Sequence, residues 1–227
     1  SELFAGGHSS TLQDVKARGK LRCVVTTGLP GFAAPDANGV WRGFDWDFCR
    51  ATAAAVLGDA NAVAPITSTG KTRFTKLNAG EGDVLWRNTT ITFSRDVSVK
   101  LRFLGVNYYD GQGFMVNKSL GVSSAKELDG ASVCIQTGTT TELNLADYFS
   151  SNNMSYEAVT IETNDEARQN YEAGRCDIYT TDASGLASTR SSLPNPNDHM
   201  VLPEIISKEP LGPAVRQGDD AWADIIT

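Results

Sequence analysis

Apolar positions along this chain recur in two alternating rhythms. Leu12, Val15 and the stem of Lys16 fall at helical spacing over residues 11–18, with Thr11 as N-cap and Gly19 as the stop. Leu21–Thr26 (LRCVVT) is a short β-branched run, which predicts a strand. The glycines and proline of 28–32 make a loop. Helical spacing returns over 45–57, carried by Phe48, Ala51, Ala55 and Val56 with Phe44 just ahead, and Gly58 closes it. A strand over 63–66, a helix over 71–78 and a strand over 83–85 complete the first half. Strand and helix alternate, the signature of an α/β fold with mostly parallel strands.

The rhythm then restarts. Strands are predicted over 113–117, 132–136, 158–161 and 177–181, with a helical turn over 124–128 and helices over 140–149, 165–173 and 184–190. A last strand over 212–216 leads into a helix over 219–226. Two α/β units with a late return segment predict two lobes around a cleft. Lobe one takes residues 1–116 plus 206–227, and lobe two takes 117–205. Ligands of such folds bind at the C-terminal ends of strands.

Composition narrows the function classes. Of 227 residues, 41% are hydrophobic and 21% charged, which is ordinary globular usage. The longest apolar stretch, 53–57, falls far short of a membrane span. No basic segment followed by an apolar one opens the chain, so any signal peptide is expected to be already removed. A net charge of −7 with scattered Lys and Arg argues against nucleic acid as a partner. Two histidines, His8 and His199, and no C-x-x-C pair argue against a metal site. Four cysteines, Cys23, Cys49, Cys134 and Cys176, allow three disulfide pairings in an oxidising compartment, against the alternative of four buried thiols. The sequential pairing, Cys23–Cys49 and Cys134–Cys176, sets one bridge in each half and is the expected one.

Three stretches carry candidate chemistry. In DVLWRNTTITFSR (83–95) a strand runs into hydroxyls and amides and then Arg95, whose planar fork suits a carboxylate. Asn88, Thr89 and Thr90 add donors beside it. In QTGTTTE (136–142) a strand ends, Gly138 permits a turn, and Thr139, Thr140 and Thr141 open a helix whose N-terminus can hold an anion or simply be capped. In TTDA (180–183) a strand delivers Asp182, able to pair with an ammonium group or to cap the next helix. A cation for a carboxylate, an anion for an ammonium and hydroxyls between them complement a zwitterionic α-amino acid.

Longer phrases extend the picture: TGLPGFAAPDANG (26–39), GFDWDFCRATAAAVLGDA (43–60), RNTTITFSRD (87–96), NYYDGQGFMVNKSLGV (107–122), QTGTTTELNLADYF (136–149), AGRCDIYTTDASGLA (173–187) and LPEIISKEPLGPAVRQGDDAW (202–222). With them the chain resembles the polar and general L-amino-acid-binding proteins of ABC importers, family 3 solute-binding proteins, over almost its whole length. The resemblance implies a two-lobed, type II periplasmic-binding-protein fold. It also implies a periplasmic, non-enzymatic receptor without cofactor or metal, whose partners are a free L-amino acid and the membrane permease of an importer. Carried over, Arg95 holds the ligand carboxylate with Asn88 and Thr90 assisting, and Thr139 and Thr140 reach it from the second lobe. Asp182 takes the α-amino group, Phe32 and Gln136 contact the ligand side chain, and Arg87 points at it, favouring polar or acidic ligands.

Two positions depart from the family pattern: Trp86, where a small residue is usual, and Gly82, where a larger one is. Family members also continue past Thr227. A chain of this length is therefore expected to leave apolar surface around Trp222, Ile225 and Ile226 and to self-associate, with segment exchange (domain swapping) as one route. The rival readings are an enzyme on the same fold, dehydratase-like, which needs a general acid or base in the cleft, and a sensor ectodomain.

Overall fold

The computed structural model describes residues 9–227. Helix α1 (Ser10–Arg18) is capped by Ser9, whose hydroxyl accepts from the Leu12 N–H, so it begins one residue ahead of the predicted segment. Strand β1 (Leu21–Thr26), the hairpin β2 (Ala34–Pro35) and β3 (Trp41–Arg42), helix α2 (Phe44–Leu57), strand β4 (Val63–Ser68), helix α3 (Arg73–Asn78) and strand β5 (Val84–Leu85) follow. Helix α4 (Phe93–Ser98), strands β6 (Leu101–Phe103), β7 (Tyr108–Asp110), β8 (Gln112–Asn117) and β9 (Ala131–Gln136), and helix α5 (Thr140–Ser151) come next. Then come β10 (Tyr156–Ile161), α6 (Asn164–Glu172), β11 (Ile178–Asp182), α7 (Ala183–Ser191), β12 (His199–Val201), β13 (Glu209–Leu211), β14 (Ala214–Arg216) and α8 (Asp220–Ile226).

Two five-stranded sheets organise these elements. The first runs β4-β1-β5-β14-β6, with β1 parallel to β4 and β5 and β14 antiparallel to its neighbours. The second runs β10-β9-β11-β8-β12, parallel through β11 and antiparallel at β8 and β12. Both are covered on both faces, as parallel sheets must be. Along β1, Leu21, Cys23 and Val25 pack with Val15, Trp46 and Trp222, while Val24 turns to Leu77, Leu85 and Leu101. In the second lobe Phe114, Val133 and Ile178 meet Leu145 and Phe149, and on the other face Met115, Cys134 and Tyr179 meet Tyr171 and Leu186. The sequential disulfides form: Cys23–Cys49 ties β1 to α2, and Cys134–Cys176 ties β9 to the turn before β11, at Cα separations of 6.0 and 5.6 Å.

The lobe boundary needs a correction. Residues 112–116, assigned to lobe one from sequence, lie in β8, an inner strand of the second sheet paired to β11 and β12. The apolar run GFMV reads the same in either sheet, and only the pairing decides. The chain crosses between lobes around Asp110–Gln112 and returns between Ile206, packed on the second core, and β13, which pairs with β7. Helix α4 is a further addition: the sequence reading assigns no element to residues 93–98, and in the structure its Phe93 and Val97 are exposed. The apolar residues of α8 are not left bare; Trp222 is buried and Ile225 and Ile226 pack on the first core.

The two departures from the family pattern also resolve. Trp86 packs away from the cleft, stacked on Phe48 at 4.5 Å and 12°. A Cβ at Gly82 would sit 2.3 Å from Val24 Cγ2, so a larger residue there would have to displace the Val24 side chain.

Candidate functional site

Three strand ends converge between the lobes. The end of β5, with the start of α3, delivers the first-lobe residues, and β9 and β11 deliver those of the second. Arg73, Arg87, Asn88, Thr90, Gln136, Thr139, Thr140, Thr141, Thr181 and Asp182 enclose a cavity of about 20 Å³. That is room for about one water molecule, so an amino acid enters only when the lobes part.

On the first-lobe side, Thr92 caps α4 by accepting from the Arg95 N–H, which fixes the arginine in the first turn. Its guanidinium donates from Nη1 to the Thr90 carbonyl at 2.8 Å and lies over the Phe74 ring at 5.2 Å. Arg95 is 9% exposed and stands just behind Thr90, outside the lining of the closed cavity. Arg87 reaches the cavity and donates from Nε to the Ser68 carbonyl at 3.4 Å. Arg73, which the sequence reading missed, joins it from α3 and donates to Thr89 Oγ1 at 3.2 Å. Its Nε has no partner. No local signal marks Arg73, because beside Phe74 in a short helix it reads as an exposed position.

On the second-lobe side Thr139 serves as the cap and also stands in the cavity wall. Its hydroxyl accepts from the Glu142 N–H to cap α5 and donates to the Gln136 carbonyl at 2.7 Å, while the residue lines the cavity. Thr140 donates to Glu209 Oε2 at 3.1 Å and approaches Thr90 Oγ1 at 3.5 Å, so the lobes touch here. A second contact runs from Ser188 Oγ to the Pro30 carbonyl at 2.6 Å. Gln136 accepts from the Tyr179 hydroxyl at 3.3 Å. Thr141, named with the helix-opening threonines but not carried into the expected ligand set, and Thr181, which was missed, also line the cavity.

Asp182 is not a helix cap. It occupies the N-cap position of α7 but makes no capping bond. Asp110, from β7, takes that role by accepting from the N–H and hydroxyl of Ser184. Asp182 is therefore left 6% exposed with Oδ1 unpartnered. Phe32 is not brought to this cavity. It lines an adjacent slot with Phe44, Tyr108 and Ser184, its ring edge-on to both aromatics.

Burial sets the charges of the site. The Asp182 carboxyl is pushed up to about 8, first by burial and then by Asp110 and Glu209. Burial brings Arg87 and Arg95 down to about 10, and Arg73 well below the usual guanidinium range, helped by repulsion from Arg95 and Arg87. Three crowded cations opposite one acid favour a ligand with more than one anionic group and one cation. Among the described residues no cluster of three or more His, Cys, Asp or Glu is placed to hold a metal ion. His8 lies outside the described residues, and His199 bonds Tyr171 on the far side of lobe two, at 2.8 Å. Among the described residues no helix is long and apolar enough to cross a membrane.

The similarities agree with this geometry. The chain is 65% identical over 225 residues to the glutamate/glutamine/aspartate/asparagine-binding protein BztA of Rhodobacter capsulatus, covering 99% of this chain and 67% of that protein. It is 60% identical to the general L-amino acid-binding periplasmic protein AapJ of Rhizobium johnstonii, covering 96% of this chain and 64% of that one. The chain thus spans about two thirds of the length of these relatives, which are solute-binding proteins rather than enzymes. Among solved structures, an ABC transporter periplasmic binding protein from Brucella ovis with glutathione bound superposes at a TM-score of 0.93 with 57% identity, over 96% of this chain and 69% of that one. An ancestral arginine-binding protein bound to glutamine superposes at 0.79 with 29% identity, over 92% of this chain and 89% of that one. The family description of bacterial extracellular solute-binding proteins, family 3, matches residues 21–227, and the chain belongs to that family.

Proposed function

We propose that this protein is an extracytoplasmic receptor that captures a free L-amino acid with an acidic or amide side chain and delivers it to the membrane permease of an ABC importer. One observation carries the ligand class: the buried Arg73 and Arg87 share a closed interlobe cavity with Asp182, whose Oδ1 is unpartnered, and the buried Arg95 stands just behind Thr90. Arg95 and the Thr90 and Thr140 hydroxyls serve the α-carboxylate and Asp182 the ammonium. Arg73 and Arg87, with Asn88, Thr139 and Gln136, serve the far end of the side chain. Phe32 closes the neighbouring slot. The named ligands of the BztA relative fit this chemistry, and the glutathione of the Brucella protein also begins with a glutamyl zwitterion. Binding draws the lobes together by hinge motion at β7 and β13, and the permease reads the closed form. The location is the periplasm, after removal of a leader.

Self-association and segment exchange receive no support from α8, whose Trp222 is buried. Light scattering tests both, and a monomer is the expected result. Thermal shift against the twenty amino acids tests the ligand class, since a ligand of the native state raises Tm. Glutamate, glutamine, aspartate and asparagine should give the largest rises. Equal rises with lysine or leucine would sink the proposal, and consumption of the ligand would favour the dehydratase-like alternative.

A further inference from the structure

Glu209 opens β13 and is 2% exposed. Its strand is fastened to the first lobe. The Ile91 N–H donates to the Pro210 carbonyl at 2.8 Å, the Gly212 N–H donates to the Thr89 carbonyl at 3.1 Å, and Leu211 packs with Leu29 and Phe32. The Glu209 carboxylate turns the other way, to the second lobe. Oε1 accepts from Asn144 Nδ2 at 2.8 Å and from Ser207 Oγ at 2.9 Å, and Oε2 accepts from the Thr140 hydroxyl at 3.1 Å. Thr140 and Asn144 stand four positions apart on α5, so they share the face that meets this carboxylate. Neither Glu209 nor Asn144 lines the ligand cavity. Thr140 has a single hydroxyl proton, so a ligand carboxylate that takes it leaves Glu209 held by Asn144 and Ser207.

We propose that Glu209 is a positioning residue for ligand retention: from a strand fixed to the first lobe, its carboxylate grips Asn144 and Thr140 and holds the N-terminal end of α5 closed over the ligand. The inference rests on the reading of the interlobe cavity as the amino-acid site. A hydrogen bond to a carboxylate away from water is stronger than one between neutral groups, and a buried carboxylate stripped of donors is costly. Parting the lobes draws α5 away from β13 and takes both helix donors from Glu209. The grip therefore raises the barrier to opening without touching the ligand. The Ser188–Pro30 contact, by contrast, lies at exposed surface, and Thr140–Thr90 is a long contact at 3.5 Å.

The test is stopped-flow release of L-glutamate from the unmodified protein, from Asn144→Ala, from Glu209→Ala and from the double variant. Asn144 is half-buried and alanine is the best helix former, so Asn144→Ala keeps the fold even where Glu209→Ala does not. Release should be about tenfold faster in Asn144→Ala, the scale of one bond to a charged group, and at least as fast in Glu209→Ala. The double variant should match Glu209→Ala within about twofold, because both changes remove the same bond. A merely structural role would lower the urea midpoint and leave the release rate where it is. An unchanged release rate in Asn144→Ala, or single effects that multiply in the double variant, overturns the proposal. Absence of glutamate binding in the unmodified protein would instead refute the proposed function, and this inference with it.

Discussion

On the proposed function, amino-acid recognition depends most on Arg95 and Asp182. Arg95→Lys removes both the planar fork and the bond to the Thr90 carbonyl. Hydrogen bonds to charged groups are worth about 2 kcal/mol, so titration calorimetry should record about a thirtyfold loss of affinity. Asp182 makes binding pH-dependent. Its folded value of about 8 lies above that of an unfolded aspartate, so its burial leaves stability intact below about pH 4 and erodes it as pH rises to about 8. Ligand affinity runs the other way, because only the carboxylate pairs with an ammonium. Affinity should rise up to about pH 8, with close to one proton released per ligand at pH 6 to 7. Calorimetry in two buffers of different ionisation enthalpy counts that proton; no release would remove Asp182 from the site. Asp182→Asn should raise Tm above pH 8 while abolishing most binding.

Helix α5 shows how an element serves both fold and site. Thr139 caps it, Thr140 touches the first lobe, and Leu145 and Phe149 anchor it in the second core. Thr139→Ala should cost about 1 kcal/mol of stability through the lost cap and lower affinity as well, read by urea unfolding and titration. The strand beneath it, β9, is tied to the start of β11 by Cys134–Cys176, which closes a loop with a sequence separation of 42. Replacing both cysteines with serine should cost about 4 kcal/mol in the chain-entropy model. The loss should show in lobe-two unfolding, and an unchanged urea midpoint would contradict it.

Closure is a property of the whole molecule. The lobes meet at Thr140–Thr90 and Ser188–Pro30 around a space far too small for an amino acid. The receptor must therefore open to load, and a bound ligand must hold the lobes together through charges from both. X-ray scattering should show the radius of gyration falling on addition of L-glutamate. Ser188→Ala, which removes an interlobe bond outside the cavity lining, should speed ligand release, while a stopped-flow rate equal to the unmodified protein would show that contact to be idle.

Much of this was written locally. Alternating apolar periods fixed the α/β class, the turn glycines bounded the elements, and cysteine order indicated the pairing that forms. Asp182, Thr139 and Thr140 were legible because strand ends and helix caps depend on residues within four positions of one another. What tertiary structure alone decided depends on partners distant in sequence. Whether GFMV joins the first or second sheet is settled by β11 and β12, more than sixty residues on. That Asp182 makes no capping bond follows from Asp110 bonding Ser184 of α7 across 74 positions. Arg73 enters the site because α3 packs against β1 and β5. Burial then shifts the charge of each of these groups, and no spacing along the chain encodes burial.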